Sequence, residues 1–347
     1  MGKTGKKVTI KDVAKAAGVS YATVSRVINE QSVSAEKRAR VTHAIRELGY
    51  VVNTSARSLA GGNTRIVGVL APHLGNEYVS QILQGIDTAL REHDYDLMLY
   101  TTQQRADKEA RYTQALANGM IDGVLLLVPF YPDKYLATLR GQRFPHVVID
   151  QNENTGSSPK VTANNYQGAQ AATRYLLELG HRRIGFLQGI PEIASTHERF
   201  LGYQQVLAEY GLEVDMQLVK EGHFDQQRSF AAATKLLALP EPPTAIFATN
   251  DASGIGVLQA ARHADVRVPK DLSIIGFDDV PRASHTYPAL TTVHQPLIEM
   301  GKTAVSLLLQ YIAHPERAVQ HITFDTHIVV RDTCAPPQIQ EVISADN

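Results

Sequence analysis

From Arg65 onward, short β-rich runs alternate with amphipathic helical ones, and the alternation occurs twice. RIVGVLAP (65–72) reads as a strand, and EYVSQILQGIDTALREH as a helix with Val79, Ile82, Leu83, Ile86 and Leu90 on its inward face. YDLMLYTT is again a strand, DKEARYTQALANGM a helix and IDGVLLLVP a buried strand. Such alternation predicts a parallel sheet with helices on both faces. RRIGFLQG (182–189) then echoes RIVGVLAP, and ERFLGYQQVLAEYGLEV echoes QILQGIDTALREHDYDL. Gly85 matches Gly202 and Leu90 matches Leu207 at a phase of 117 residues, with Tyr95 and Tyr210 at similar offsets. PTAIFATND and DLSIIGFDD supply later strands. The expected body is two α/β lobes, one of residues 65–162 and 295–322, the other of 163–294 and 323–335. Residues 336–347 are expected to be a disordered tail.

In open α/β sheets, ligands bind beyond the C-terminal strand ends. Two facing lobes therefore enclose one cleft, lined by residues that follow strands. Tyr78 follows the first strand through HLGNEY. Pro129 and Phe130 end GVLLLVPF, Asp150 ends HVVID, Asn250 ends AIFATN and Asp278 ends IIGFD. Arg199 is read as opening a helix of the second lobe in THERFLG, and Gln295 lies on the crossover TTVHQP. Aromatic faces with Asp, Asn, Arg and Gln suit a neutral polyhydroxylated ligand, by stacking and by paired hydrogen bonds to adjacent hydroxyls. An Asp at a strand end also serves as a helix N-cap, and Arg199 could simply pair with Asp278.

The first sixty-odd residues follow another pattern. Thr9 and Asp12 make a capping-box-like start, and Ile10, Val13, Ala14 and Ala17 recur on one helical face. Gly18 can end that helix in a tight turn. Ser20 can cap a second helix with Val24, Val27 and Ile28 inward. Ser34 can cap a third with Val41, Ala44, Ile45 and Leu48 inward and Gly49 closing it. Three short helices so joined are a helix-turn-helix arrangement, whose second helix presents its N-terminal residues to the DNA major groove. Charge agrees: residues 1–65 hold twelve Lys and Arg against four acids, whereas the rest holds 22 basic and 31 acidic residues. A basic head on an acidic body points to a polyanion partner for the head alone. Arg26 can pair with a guanine edge and Tyr21 can offer a hydroxyl and a ring.

TIKDVAKAAGVSYATVSRVIN, followed by VSAEKRARVTHAIRELGYVVNTSARSLAGG, resembles the N-terminus of the lactose-repressor (LacI/GalR) family of bacterial transcription regulators, in register over the first sixty residues. The resemblance implies a DNA-binding domain at 1–52 and a hinge helix and linker at 53–64. Leu59 would be a wedge in the minor groove that kinks the operator. The implied DNA-contacting set is Thr9, Ser20, Tyr21, Ala22, Thr23, Ser25, Arg26, Asn29, Asn53, Ala56, Arg57 and Leu59. It also implies a body like the bacterial periplasmic sugar-binding proteins. Positions matching Asp150, Arg199, Asn250 and Asp278 would contact the effector, and Phe224 in EGHFDQ matches a commonly aromatic contact. Asn76-Glu77-Tyr78 departs from the Asn-Pro-aromatic pattern frequent in relatives. The expected protein is a repressor of carbohydrate genes, a homodimer on a palindromic operator, controlled by a small sugar. A purine-type corepressor is the alternative.

Other classes fit poorly. No HExxH, GxSxG or P-loop motif appears, and SGIGVLQ (253–259) has Gln259 where a third Gly belongs, so neither an enzyme nor a cofactor is expected. The single Cys334 excludes an internal disulfide and a cysteine zinc site, and no metal is expected. No apolar run reaches the roughly 20 residues of a membrane span. With no secretory pattern at the N-terminus, a cytoplasmic location is the expectation. TCAPPQIQEVISADN lacks a leucine heptad, so no tetramerising coiled coil is expected.

Overall fold

Thr9 and Asp12 start the first helix by reciprocal bonds. The Asp12 carboxylate accepts from Thr9 N at 2.8 Å and Thr9 Oγ1 at 2.7 Å, while Asp12 N donates to Thr9 O at 2.9 Å. A computed structural model describes residues 8–28, 32–50, 64–117, 119–151 and 156–338. It divides into two units, Met1–Ile66 with Asn118–Asp122, and Val67–Ala117 with Gly123–Asn347. In the first unit, helices α1 (Ile10–Ala17), α2 (Tyr21–Ile28) and α3 (Ala35–Glu47) close around Val13, Ala14, Ala17, Val24, Val27, Val41 and Ala44. Gly18 caps α1 at φ +60. A side chain there would be strained and would also meet Arg40, whose Nη2 donates to the Gly18 carbonyl at 3.0 Å. Ser20 Oγ accepts from Thr23 N at 3.2 Å at the start of α2. Ser34 stands at the N-cap of α3, but contrary to expectation its side chain makes no capping bond. Its carbonyl alone receives Arg38 N, at 3.0 Å.

The second unit runs β1 (Ile66–Ala71), α4 (Glu77–Glu92), β2 (Asp96–Thr101), α5 (Ala106–Ala117), β3 (Gly123–Leu127), α6 (Asp133–Gly141), β4 (His146–Ile149) and β5 (Lys160–Ala163). After these come α7 (Asn165–Glu178), β6 (Ile184–Gln188), α8 (Ala194–Glu209), β7 (Val219–Glu221), α9 (Gln226–Leu237), β8 (Ala245–Ala248), α10 (Asp251–His263) and β9 (Ser273–Ile275). The short α11 (Pro281–Ser284), β10 (Thr292–His294), α12 (Leu297–Ala313), β11 (His321–Phe324) and β12 (His327–Val329) complete it. The first sheet has the order β11-β5-β4-β3-β1-β2 and the second β7-β6-β8-β9. Bridges from Ile275 to Thr291 and from Asp278 to His294 extend the second sheet to the antiparallel β10-β12 ribbon. The two lobes thus repeat one strand order, as the internal echo predicts. β3 is buried along its whole length, as a central parallel strand covered on both faces must be.

The paired glycines have one shared cause. A Cβ on Gly85 would lie 2.0 Å from Ile298 O where α4 crosses α12, and one on Gly202 would lie 2.5 Å from Tyr166 O where α8 crosses α7. Each lobe keeps a glycine where two helices touch backbone to backbone. The chain crosses between lobes after β5, β10 and β11. The expected break after residue 322 falls inside β11, because pairing with β5 continues to Phe324 opposite Ala163. The break expected after 162 likewise precedes the end of β5 by one residue. Among the described residues no helix is long and apolar enough to cross a membrane.

Candidate functional site

The C-terminal ends of both parallel sheets open onto one cavity of about 590 Å³. Several lining residues leave their strands in the left-handed region: Val128 after β3 (φ 44), Asp150 after β4 (φ 52), His223 and Phe224 after β7 (φ 54 and 57) and Asp278 after β9 (φ 110). Residues other than glycine adopt this conformation at a cost, and such strain gathers where function fixes side chains. Here it turns carboxylates and an aromatic ring off the strand ends into the cavity. Asn250 lines it as the N-cap of α10, with Oδ1 accepting Ser253 N at 2.9 Å and Nδ2 donating to Phe224 O at 3.3 Å.

The floor is a buried polar network. Tyr78, on the first turn of α4, donates its hydroxyl to Asp150 Oδ2 at 2.6 Å. Arg199 is 2% exposed. Its Nε and Nη2 donate to Asn165 Oδ1 at 2.9 and 2.8 Å, its Nη1 donates to Thr249 O, and its guanidinium lies 3.7 Å from the Phe277 ring centre. Arg199 Nη2 is 3.7 Å from Asp278 Oδ1, which also accepts Gln295 Nε2 at 2.8 Å. Burial pushes the Asp278 carboxyl up to about 7 against the pull of Arg199, and the Asp150 charge adds to the rise. Burial likewise pushes the Tyr78 hydroxyl well above its ordinary value, and the Asp150 charge pushes it further. Asp251, behind the cavity, is raised by burial and then by Asp278, while accepting Thr292 Oγ1 and Val280 N.

Of the residues expected in the cleft, the structure brings Tyr78, Phe130, Asp150, Arg199, Phe224, Asn250 and Asp278 to the cavity wall. Pro129 is buried behind the wall, its carbonyl taken by Gln151 Nε2 at 2.9 Å. Gln295, 2% exposed, stands behind Asp278 and reaches the cavity only through that carboxylate. Arg199 does not open its helix. α8 starts at Ala194, and Arg199 sits on its second turn, facing inward. Three contacts were not foreseen. Asn165 anchors Arg199. Gln151 joins the lobes, donating to Glu192 O at 3.1 Å and accepting Ala194 N at 3.0 Å. Glu77 of α4 meets Arg282 of α11 across the cleft, Oε1 to Nε at 3.1 Å and Oε2 to the backbone N at 3.1 Å. Glu77, a departure from the Asn-Pro-aromatic pattern that the family resemblance implies, was the available signal for the last. Among the described residues no cluster could hold a metal ion.

In the helical unit, α2 exposes Tyr21, Ala22 and Arg26, with Ser20 exposed just before it. Thr23 and Ser25 are half-buried on the same helix, and Thr9 is exposed at the start of α1 with its hydroxyl engaged by Asp12. Asn29, Asn53, Ala56, Arg57 and Leu59 lie outside the described residues, as do the expected hinge helix and most of the expected tail.

Residues 9–53 match the bacterial regulatory proteins of the lacI family, and residues 173–334 match a periplasmic binding protein-like domain. The HTH-type transcriptional repressor PurR of Proteus mirabilis is 36% identical over 330 residues, 94% of this chain and 97% of that protein. A solved complex of the transcriptional regulator CelR with cellobiose is 32% identical with a TM-score of 0.73, covering 94% of this chain and 99% of that one. The lac repressor dimer bound to operator and the anti-inducer ONPF is 27% identical with a TM-score of 0.83, covering 95% and 100%.

Proposed function

The chain belongs to the lacI family of bacterial regulatory proteins and is a DNA-binding transcriptional repressor, not an enzyme, and we propose that a small neutral sugar held between its lobes sets its affinity for DNA. One observation carries the proposal. Asp150 from the first lobe and Asp278 from the second both line the cavity, buried, with Arg199 and Asn250 beside them. Carboxylates accept hydrogen bonds from adjacent hydroxyls, while Arg and Asn supply the donors a polyol also needs. The aromatic faces of Phe130 and Phe224 suit the C–H faces of a sugar ring.

A ligand touching both lobes favours one angle between them. It can alter DNA affinity only by as much as it distinguishes the two lobe arrangements, typically about 1–3 kcal/mol. We take the sugar as an inducer that lowers operator affinity. The protein would act as a homodimer, since a two-fold operator needs two helical heads, and the similarity to the lac repressor dimer on its operator supports that reading. A purine corepressor is the second reading, favoured by repressors named PurR that are similar over 94% of the chain.

A thermal-shift screen of the purified protein against mono- and disaccharides, hypoxanthine and guanine separates the two. Operator titration with the best hit then gives the sign. Stabilisation by purines alone, with tighter operator binding, would replace the sugar reading with the corepressor one.

A further inference from the structure

The polar residues of the cavity form two tiers. The floor is Tyr78, Asp150, Arg199, Asn250 and Asp278, all at most 8% exposed. The rim includes Gln104, His223, Gln226, Arg228 and Arg282, each half-buried or exposed. A space of 590 Å³ lies well inside the range of about 300–1,000 Å³ typical of pockets for drug-sized ligands, more than one sugar ring fills. A single ring held by the floor would leave the rim unused.

The rim is also built. Successive left-handed residues His223 and Phe224 turn the loop after β7 inward, and Phe224 rests so closely on Gly189 that a Cβ there would lie 2.1 Å from the ring. Asp225 then caps α9, accepting Arg228 N at 2.8 Å, which places Gln226 and Arg228 on its first turn at the cavity. Arg228 Nη1 donates to His223 Nδ1 at 2.6 Å, and the opposite ring nitrogen, Nε2, faces Glu221 Oε2 at 3.1 Å. An arginine can only donate, so this bond fixes the ring with its proton on Nε2 and holds both side chains in place.

Resting on the sugar reading of the same cleft, we propose that the rim is a second glycosyl subsite, and that the ligand is an oligosaccharide of at least two units. One terminal ring sits on the floor among Asp150, Arg199, Asn250 and Asp278. The next ring packs against Phe224 and hydrogen-bonds to Gln226 and Arg228.

Calorimetric titration of the full-length protein tests this with cellobiose, xylobiose, maltose and lactose against glucose, xylose and galactose. At least one disaccharide binds tenfold or more tighter than each of its constituent monosaccharides. Arg228→Ala and Gln226→Ala remove most of that advantage while leaving monosaccharide binding and melting temperature unchanged. Monosaccharides binding as tightly as every disaccharide overturn the second subsite and leave the sugar reading standing. A disaccharide advantage that survives both substitutions also overturns it, because the rim side chains would not be its source. Binding of hypoxanthine or guanine with no sugar binding overturns both.

Discussion

The Gln151 amide donates to the Glu192 carbonyl at 3.1 Å, a bond from one lobe to the other beside the cleft. The same side chain accepts Ala194 N, the first residue of the helix that carries Arg199, and is 4% exposed. It ties the loop after Asp150 to the start of the Arg199 helix. The two sides of the site cannot separate without breaking it.

Gln151→Leu keeps the volume but leaves Ala194 N and two carbonyls without that partner. Each unsatisfied buried group costs about 1–3 kcal/mol. The expected result is a lower melting temperature and at least tenfold weaker ligand binding by calorimetry, with binding of operator by the free protein retained. Unchanged ligand affinity would show that the bridge does not hold the closed arrangement.

Asp278 gives the protein a pH signature. Its carboxyl is raised to about 7 by burial, so between the unfolded value near 3.8 and about 7 the folded state holds a proton that the unfolded state has released. Stability from this group is therefore greatest at the low end of that window and falls as pH rises through it, levelling off above about 7. Asp278→Asn keeps an acceptor for Gln295 and removes the titration. Melting temperatures of the wild type should fall relative to Asp278→Asn from pH 5 to pH 8, and a constant difference would contradict the assignment.

Arg199 has more partners than a ligand contact needs. Arg199→Ala strands Asn165 Oδ1, Thr249 O and the Asp278 charge in a buried site, and breaking such a site by removing one partner typically costs about 3–5 kcal/mol. Denaturant unfolding should show that loss, together with loss of the response to ligand. Asp278→Asn should weaken the response with far less loss of stability. Equal stability of the wild type and Arg199→Ala would mean that the guanidinium is not holding the floor together.

With α2 expected to enter the major groove, Arg26→Ala should cost about 1–3 kcal/mol of operator affinity and relax specificity at one base pair of each half-site. Binding of the wild type should fall steeply with salt as phosphate contacts release counterions. Titrations on operator variants at two salt concentrations read both effects, and a flat salt response would remove the charge argument for the head.

The matched glycines predict matched defects. Gly85→Ala and Gly202→Ala each insert a methyl against the backbone of a crossing helix, at 2.0 and 2.5 Å. Overpacking of this kind costs about 1–3 kcal/mol or more. Both variants should melt lower than the wild type, whereas Gly211→Ala meets no neighbouring atom and pays only for its positive φ.

Sequence alone determined the elements, the duplication and most of the floor of the cleft. Helical faces such as Val13, Ala14 and Ala17, caps such as Thr9 and Asp12, and the apolar run of β3 are local patterns, legible without knowing what they pack against. Parallel strands place all their C-terminal ends on one side, so Asp150, Asn250 and Asp278 could be assigned to a cleft from position in the chain. Contacts between lobes could not. Glu77 and Arg282 are 205 residues apart and Gln151 and Ala194 are 43, and within the second lobe Arg199 and Asn165, 34 apart, are no more legible. Gln295 and Pro129 were misplaced for the same reason: strand-end position says which edge a residue occupies, not whether another side chain stands in front of it. The chain crosses between lobes three times, and only the packing that follows decides which strand-end residues face the cavity and which support it from behind.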